Sequence, residues 1–219
     1  MKELFLPAED GTRLHAWHVP ARAGAPLVLY FGGNAEEVSW MLEEIAPDGS
    51  ASWLLTDYRG YGASEGAPSE AALAADAPRW YDHALRELKP GRVFAIGRSL
   101  GSGVAVRLAA ERPLAGVILV TPFDSLVAVA KRYYWYVPVG WMLKHRFDSL
   151  ALAPRLSAPL LCLIAERDEV IPPSHAETLF AAWGGPKRKI VLRGATHNDS
   201  DRAPEFWPAV RDFLARAGT

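Results

Sequence analysis

Short runs of apolar, β-favouring residues recur along the chain, separated by Ala- and Leu-rich stretches whose apolar positions fall at helical spacing. The runs predict strands near 3–6, 14–19, 27–31, 53–56, 93–96, 116–120, 160–164 and 189–192, with helices near 36–45, 69–88, 99–111, 175–183 and 204–216. Runs that are apolar at nearly every position belong to strands covered on both faces, and strand–helix alternation favours parallel pairing. The first two strands are different, because Glu9-Asp10-Gly11-Thr12 between them is a hairpin signal. The expectation is an α/β fold: a mostly parallel eight-stranded sheet with an antiparallel N-terminal hairpin and helices on both faces. Ser69 and Glu70 offer a helix start, which Pro78 is expected to kink or delay. The rhythm breaks over 123–154, where Phe123, Tyr134, Trp135 and Trp141 stand among Lys131, Arg132, Lys144 and Arg146. This reads as a small lid-like insertion within one domain spanning 1–219. Its aromatics either cover the core or line a substrate pocket, and both roles are compatible.

Composition narrows the partners. With 24 basic and 25 acidic residues in 219, half of them hydrophobic, no polyanion-binding surface is expected, and so no nucleic acid. Charges and Pro7 interrupt the first ten residues before a signal-length apolar segment forms, and the other apolar runs are too short to span a bilayer. A soluble, cytoplasmic protein with no stable membrane anchor is the expectation; the composition leaves the oligomeric state open. The lone cysteine, Cys162, sits inside an apolar run without a second cysteine or a nearby histidine. It reads as a buried strand residue, and no metal or cofactor is expected.

Candidate chemistry centres on Gly97-Arg98-Ser99-Leu100-Gly101, directly between the run Val93-Phe94-Ala95-Ile96 and a helix-like stretch. The string alone is weak, since Gly and Ser are common in turns, but the strand–turn–helix setting makes it a nucleophile elbow that lifts the Ser99 hydroxyl above the sheet. A serine hydroxyl needs a base, and the base an orienting acid. Among six histidines, His15, His18 and His83 lie away from strand-end loops, whereas His197 follows the last strand directly. For the acid, Asp168 lies in the loop after the preceding strand; its neighbours Glu166 and Glu169 would serve if the loop register differed. A competing set joins Ser99 to His145 with Asp124 or Asp148, and His175 reads as a surface or capping residue. An oxyanion would require two aimed N–H groups, expected from Leu100 at the helix start and from Asn34 in Gly32-Gly33-Asn34-Ala35. The same turn can also be read as an ordinary helix start with Asn34 as cap and Glu36 and Glu37 near its positive end. It has no P-loop Lys or Ser/Thr.

The segments Tyr30-Phe31-Gly32-Gly33-Asn34-Ala35, Asp57-Tyr58-Arg59-Gly60-Tyr61-Gly62-Ala63-Ser64-Glu65-Gly66, the Ser99 elbow, Phe147-Asp148-Ser149-Leu150, Arg167-Asp168 with Pro172, and Thr196-His197-Asn198 together resemble the α/β-hydrolase superfamily. More narrowly, the chain is similar to the small abhydrolase-domain depalmitoylase-like serine hydrolases and their bacterial relatives. The resemblance implies the α/β-hydrolase fold, the order serine, acid, histidine as Ser99, Asp168, His197, and a cofactor-independent serine hydrolase of small-molecule carboxylic esters or thioesters. Peptidase, aminoacyl hydrolase and acyltransferase chemistry use the same scaffold, and a non-catalytic binder of an apolar ligand is the other reading. Relatives often have His-Gly-Asn-Ala-Gly-Asn where this chain has Gly32-Gly33-Asn34-Ala35-Glu36-Glu37. One polar side chain is thus removed beside the oxyanion turn and two carboxylates are added.

Overall fold

A computed structural model describes residues 1–45, 49–133 and 143–216. Eight strands form one sheet: β1 (Lys2–Pro7), β2 (Arg13–Val19), β3 (Leu27–Phe31), β4 (Ser52–Asp57), β5 (Val93–Arg98), β6 (Gly116–Val120), β7 (Leu160–Ala165) and β8 (Lys187–Leu192), in spatial order β1-β2-β4-β3-β5-β6-β7-β8. β2 is antiparallel to both β1 and β4, and all other pairs are parallel. The hairpin closes where the Ala8 N–H donates to the Thr12 carbonyl and the Asp10 carboxylate accepts from the Thr12 N–H.

Strict alternation along the inner strands splits the core into two layers. Leu27, Leu29, Ala95, Leu119 and Cys162 face one way, toward α2 (Glu70–His83), α3 (Leu100–Glu111) and α6 (Pro173–Ala182). Val28, Tyr30, Ile96, Ile118 and Leu163 face the other way, toward α1 (Met41–Ile45) and α7 (Phe206–Arg216). A period of two with both phases apolar is what burial on both faces demands. The remaining described helices, α4 (Leu126–Tyr133) and α5 (Ser149–Leu152), lie in the 123–154 region. Tyr134, Trp135 and Trp141 fall outside the described residues.

Two helices depart from expectation. The stretch 36–45 is not one helix: a 3-10 turn at Val38–Trp40 leads into the short α1. Ala35 has φ 58°, and the Glu36 carboxylate is drawn back onto the Gly33 N–H, so a regular turn cannot begin there. Glu37 is the cap, accepting from the Ser39 N–H at 3.0 Å. Asn34 does not cap this helix; its side-chain oxygen accepts from the Tyr61 hydroxyl at 3.0 Å. The helix at 69–88 starts on time, with Ser69 Oγ accepting from the Ala72 N–H, and runs through Pro78 to His83. Burial of Leu73, Ala77, Trp80 and Tyr81 outweighs the one backbone bond that proline removes, and a π-helical turn at Ala84–Leu88 finishes the segment.

The crossing of α3 over β5 is too close for side chains. A Cβ on Gly97 would overlap the Gly101 carbonyl, and one on Gly101 would overlap the Phe31 and Gly32 carbonyls of the neighbouring strand end. Gly101→Ala is expected to destabilise the fold by about 3 kcal/mol, since the obstructing atoms are backbone and cannot rotate away. Denaturant unfolding beside the wild type measures it.

Candidate active site

Ser99 sits between β5 and α3 with φ 50° and ψ −115°, a conformation closed to most residues with a Cβ. Its neighbours hold it there. The Ser99 N–H donates to the Val120 carbonyl at 2.9 Å, and the Ser99 carbonyl accepts from the N–H and hydroxyl of Ser102 at 2.9 and 2.6 Å. From the loop after β8, His197 brings Nε2 to 2.9 Å from Ser99 Oγ. From the loop after β7, Asp168 brings Oδ2 to 2.8 Å from His197 Nδ1, while its Oδ1 accepts from the N–H groups of Val170 and Ile171 at 3.0 and 2.7 Å. The side chains of His197 and Asp168 are 8% and 2% exposed. A carboxylate held on both oxygens calls for the proton on Nδ1 of the imidazole, which leaves the Nε2 lone pair to face the serine hydroxyl.

The turn after β3 borders the same serine: a Cβ on Gly33 would lie 3.6 Å from that of Ser99. Among the described residues, the N–H groups of Asn34 and Leu100 donate to no other group, whereas the Gly33 N–H is taken by Glu36 and the Ala35 N–H by the Tyr61 hydroxyl.

Ser99 lies between two cavities. One, of about 410 Å³, is mainly apolar and is lined by Phe123, Leu73, Leu126, Val129, Phe147 and Ile171. The other, of about 440 Å³, is walled by Gly33, Glu36, Arg98, His197 and Asn198. The aliphatic lining from α2, α4 and the β7–α6 loop was not read from the sequence, because its spacing is ordinary amphipathic spacing. Tyr61 and Arg98 stand inside motifs quoted for the resemblance, but nothing in the sequence marked either as a site residue.

The other candidates are engaged elsewhere. His145 also lines the apolar cavity, but its Nδ1 accepts from the Glu70 N–H; Asp148 caps α5, and Asp124 pairs with His175 at 2.9 Å. Glu166 accepts from the Gly194 N–H. Among the described residues no cluster of His, Cys, Asp or Glu suits a metal ion, and no helix is long and apolar enough to cross a membrane. Cys162 is buried in β7, where desolvation pushes its thiol up to about 12.

A family model described as alpha/beta hydrolase fold matches residues 26–152. The uncharacterized protein Rv2307c of Mycobacterium tuberculosis is 37% identical over 97% of this chain and 79% of its own. The alpha/beta hydrolase domain-containing protein WAV2 of Arabidopsis thaliana is 27% identical over 98% of this chain and 79% of its own. Among solved structures, the Pyrococcus furiosus esterase Pf2001 superposes with a TM-score of 0.79 at 20% identity, covering 100% of this chain and 91% of that one. The chain belongs to the α/β hydrolase fold family.

With its thiol buried and its ionisation suppressed, Cys162 is expected to leave the native protein unreactive toward a chromogenic disulfide reagent at neutral pH and to react once in denaturant. Absorbance on reagent addition, with and without guanidinium, checks this.

Proposed function

We propose that the protein is a serine hydrolase that cleaves carboxylic esters or thioesters through an acyl-enzyme. The observation that carries this reading is the unbroken hydrogen-bonded line from Ser99 Oγ through His197 to Asp168. Ser99 attacks the acyl carbon as His197 Nε2 takes its proton, and buried Asp168 keeps the ring oriented and stabilises the imidazolium that forms. The carbonyl oxygen, now an oxyanion, is met by the N–H groups of Leu100 and Asn34, the first at the positive end of α3. His197 then returns the proton to the leaving alcohol or thiol. The same ring activates water to release the acid and regenerate Ser99.

The two cavities divide the substrate between them. The apolar one offers room for about a dozen non-hydrogen atoms at roughly 30 Å³ each, which suits a medium acyl group. The leaving group then lies toward the polar cavity beside Arg98 and Glu36. Fold similarity to an esterase agrees with this reading. Phe123, Leu126, Val129, His145 and Phe147, from the described part of 123–154, border the acyl side, which supports reading that region as a lid.

A fluorophosphonate probe should add one adduct to the wild type and none to Ser99→Ala, as read by intact mass. No adduct on folded wild type would leave a non-catalytic binder of apolar ligands as the better reading. Over p-nitrophenyl esters of graded acyl length, rates should rise from acetyl to a medium chain and fall for the longest. Ser99→Ala and His197→Ala should lower kcat by about 10⁶-fold and Asp168→Asn by about 10⁴-fold. Faster turnover of amides or aminoacyl substrates than of any ester would move the protein to the peptidases.

A further inference from the structure

Glu36 places a carboxylate beside the turn expected to bind the oxyanion, where it would oppose negative charge developing on the substrate. The structure gives this carboxylate another use. Four donors converge on it: the Tyr30 hydroxyl at 2.6 Å and Trp40 Nε1 at 3.0 Å on Oε1, and the Gly33 N–H at 2.5 Å and Arg98 Nη1 at 3.3 Å on Oε2. A carboxylate can accept from all four at once, whereas a glutamine would turn an N–H₂ toward two of the four donors. Burial, and then the Glu36 charge, push the Tyr30 phenol well above its ordinary range, so it remains a donor. The side chain of Glu36 is 9% exposed and that of Arg98 14%.

Arg98 extends the connection. It precedes Ser99 in the chain, its Nη2 donates to the carbonyls of Asn198 at 3.1 Å and His197 at 3.4 Å, and its guanidinium lies 5.8 Å from the centre of the Trp40 ring. One planar cation thus ties the backbone of the histidine loop to the carboxylate that holds the oxyanion turn, from a position covalently next to the nucleophile. A lysine ammonium has the charge but not the fork needed to reach both sides.

We propose that Glu36 and Arg98 are positioning residues that act as one bridge, setting the oxyanion turn and the His197 loop at their working distances from Ser99. The inference rests on the serine-hydrolase reading. With the Gly33 N–H drawn into the bridge, the turn presents the Asn34 N–H instead, and the Glu36 charge beside the polar cavity is balanced by Arg98.

The test compares wild type, Glu36→Gln, Arg98→Lys, the double variant and Ser99→Ala. It measures ester kcat and KM, the rate of fluorophosphonate labelling and the melting temperature. Each single substitution is expected to lower kcat and the labelling rate by about ten- to a hundredfold, with KM within about threefold of wild type. The double variant should lose no more than the worse single one, since breaking either half breaks the bridge. Rates within about twofold of wild type in folded Arg98→Lys, a loss confined to KM, or losses that multiply in the double variant would overturn it. Should Glu36→Gln fail to fold, Arg98→Lys and Arg98→Gln decide by the same criteria. If wild type neither labels nor hydrolyses any ester, both readings fall; if only Ser99→Ala is inactive, the hydrolase reading stands and the bridge falls.

Discussion

The missing Cβ atoms of Gly97 and Gly101 are the constraint on which the site depends. Without them α3 can lie against β5 and the end of β3 closely enough that the peptide between strand and helix must reverse within one residue. That residue is Ser99, and its unfavourable φ is the cost of the reversal. The cost is offset by packing that no local change can relax: β3, β5 and β6 are fully buried parallel neighbours, and the Ser99 N–H is tied to the last residue of β6. The outward-turned hydroxyl, the start of α3 and the turn after β3 are consequences of one crossing.

Around this rigid point the other groups arrive on loops, at the ends of β3, β7 and β8, and each loop is held by a carboxylate that accepts backbone N–H bonds. Asp168 accepts from Val170 and Ile171, Glu36 from Gly33, and Asp199 from Thr196 beside His197. Ionised carboxylates are strong acceptors for such groups, so short loops are held without burying large side chains. The apolar cavity is built differently, largely from side chains of α2, α4 and the β7–α6 loop.

The described residues hold three His–Asp pairs: His15 with Asp57, His175 with Asp124, and His197 with Asp168. In each, an imidazole Nδ1 lies within 2.9 Å of an aspartate oxygen. His15 and Asp57 bind β2 to the end of β4, and His175 and Asp124 bind the first turn of α6 to the loop after β6. Only the third has a serine on the far nitrogen of its ring. The pairing by itself therefore confers no chemistry, and position relative to the elbow does.

Much was legible along the chain because its signals are local. Apolar runs at period two located all eight strands, glycine spacing located the elbow, and loop position after a strand singled out His197. Asp168 stood in a loop with two other carboxylates, and the choice among them needed the loop's actual path, along which Glu166 turns to Gly194. The helix expected from residue 36 failed for a related reason. Helical propensity was present, but Glu36 is bonded to Gly33, Tyr30 and Trp40 and also to Arg98, which lies 62 residues away. The sequence by itself determined the strands, the sheet's two-sided burial and the strained serine, because backbone sterics and solvent exclusion act on neighbours in the chain. The tertiary structure alone decided which acid meets which histidine, which groups surround the Glu36 carboxylate, and which side chains line the cavities. Those outcomes depend on distances between loops that only the folded sheet brings together.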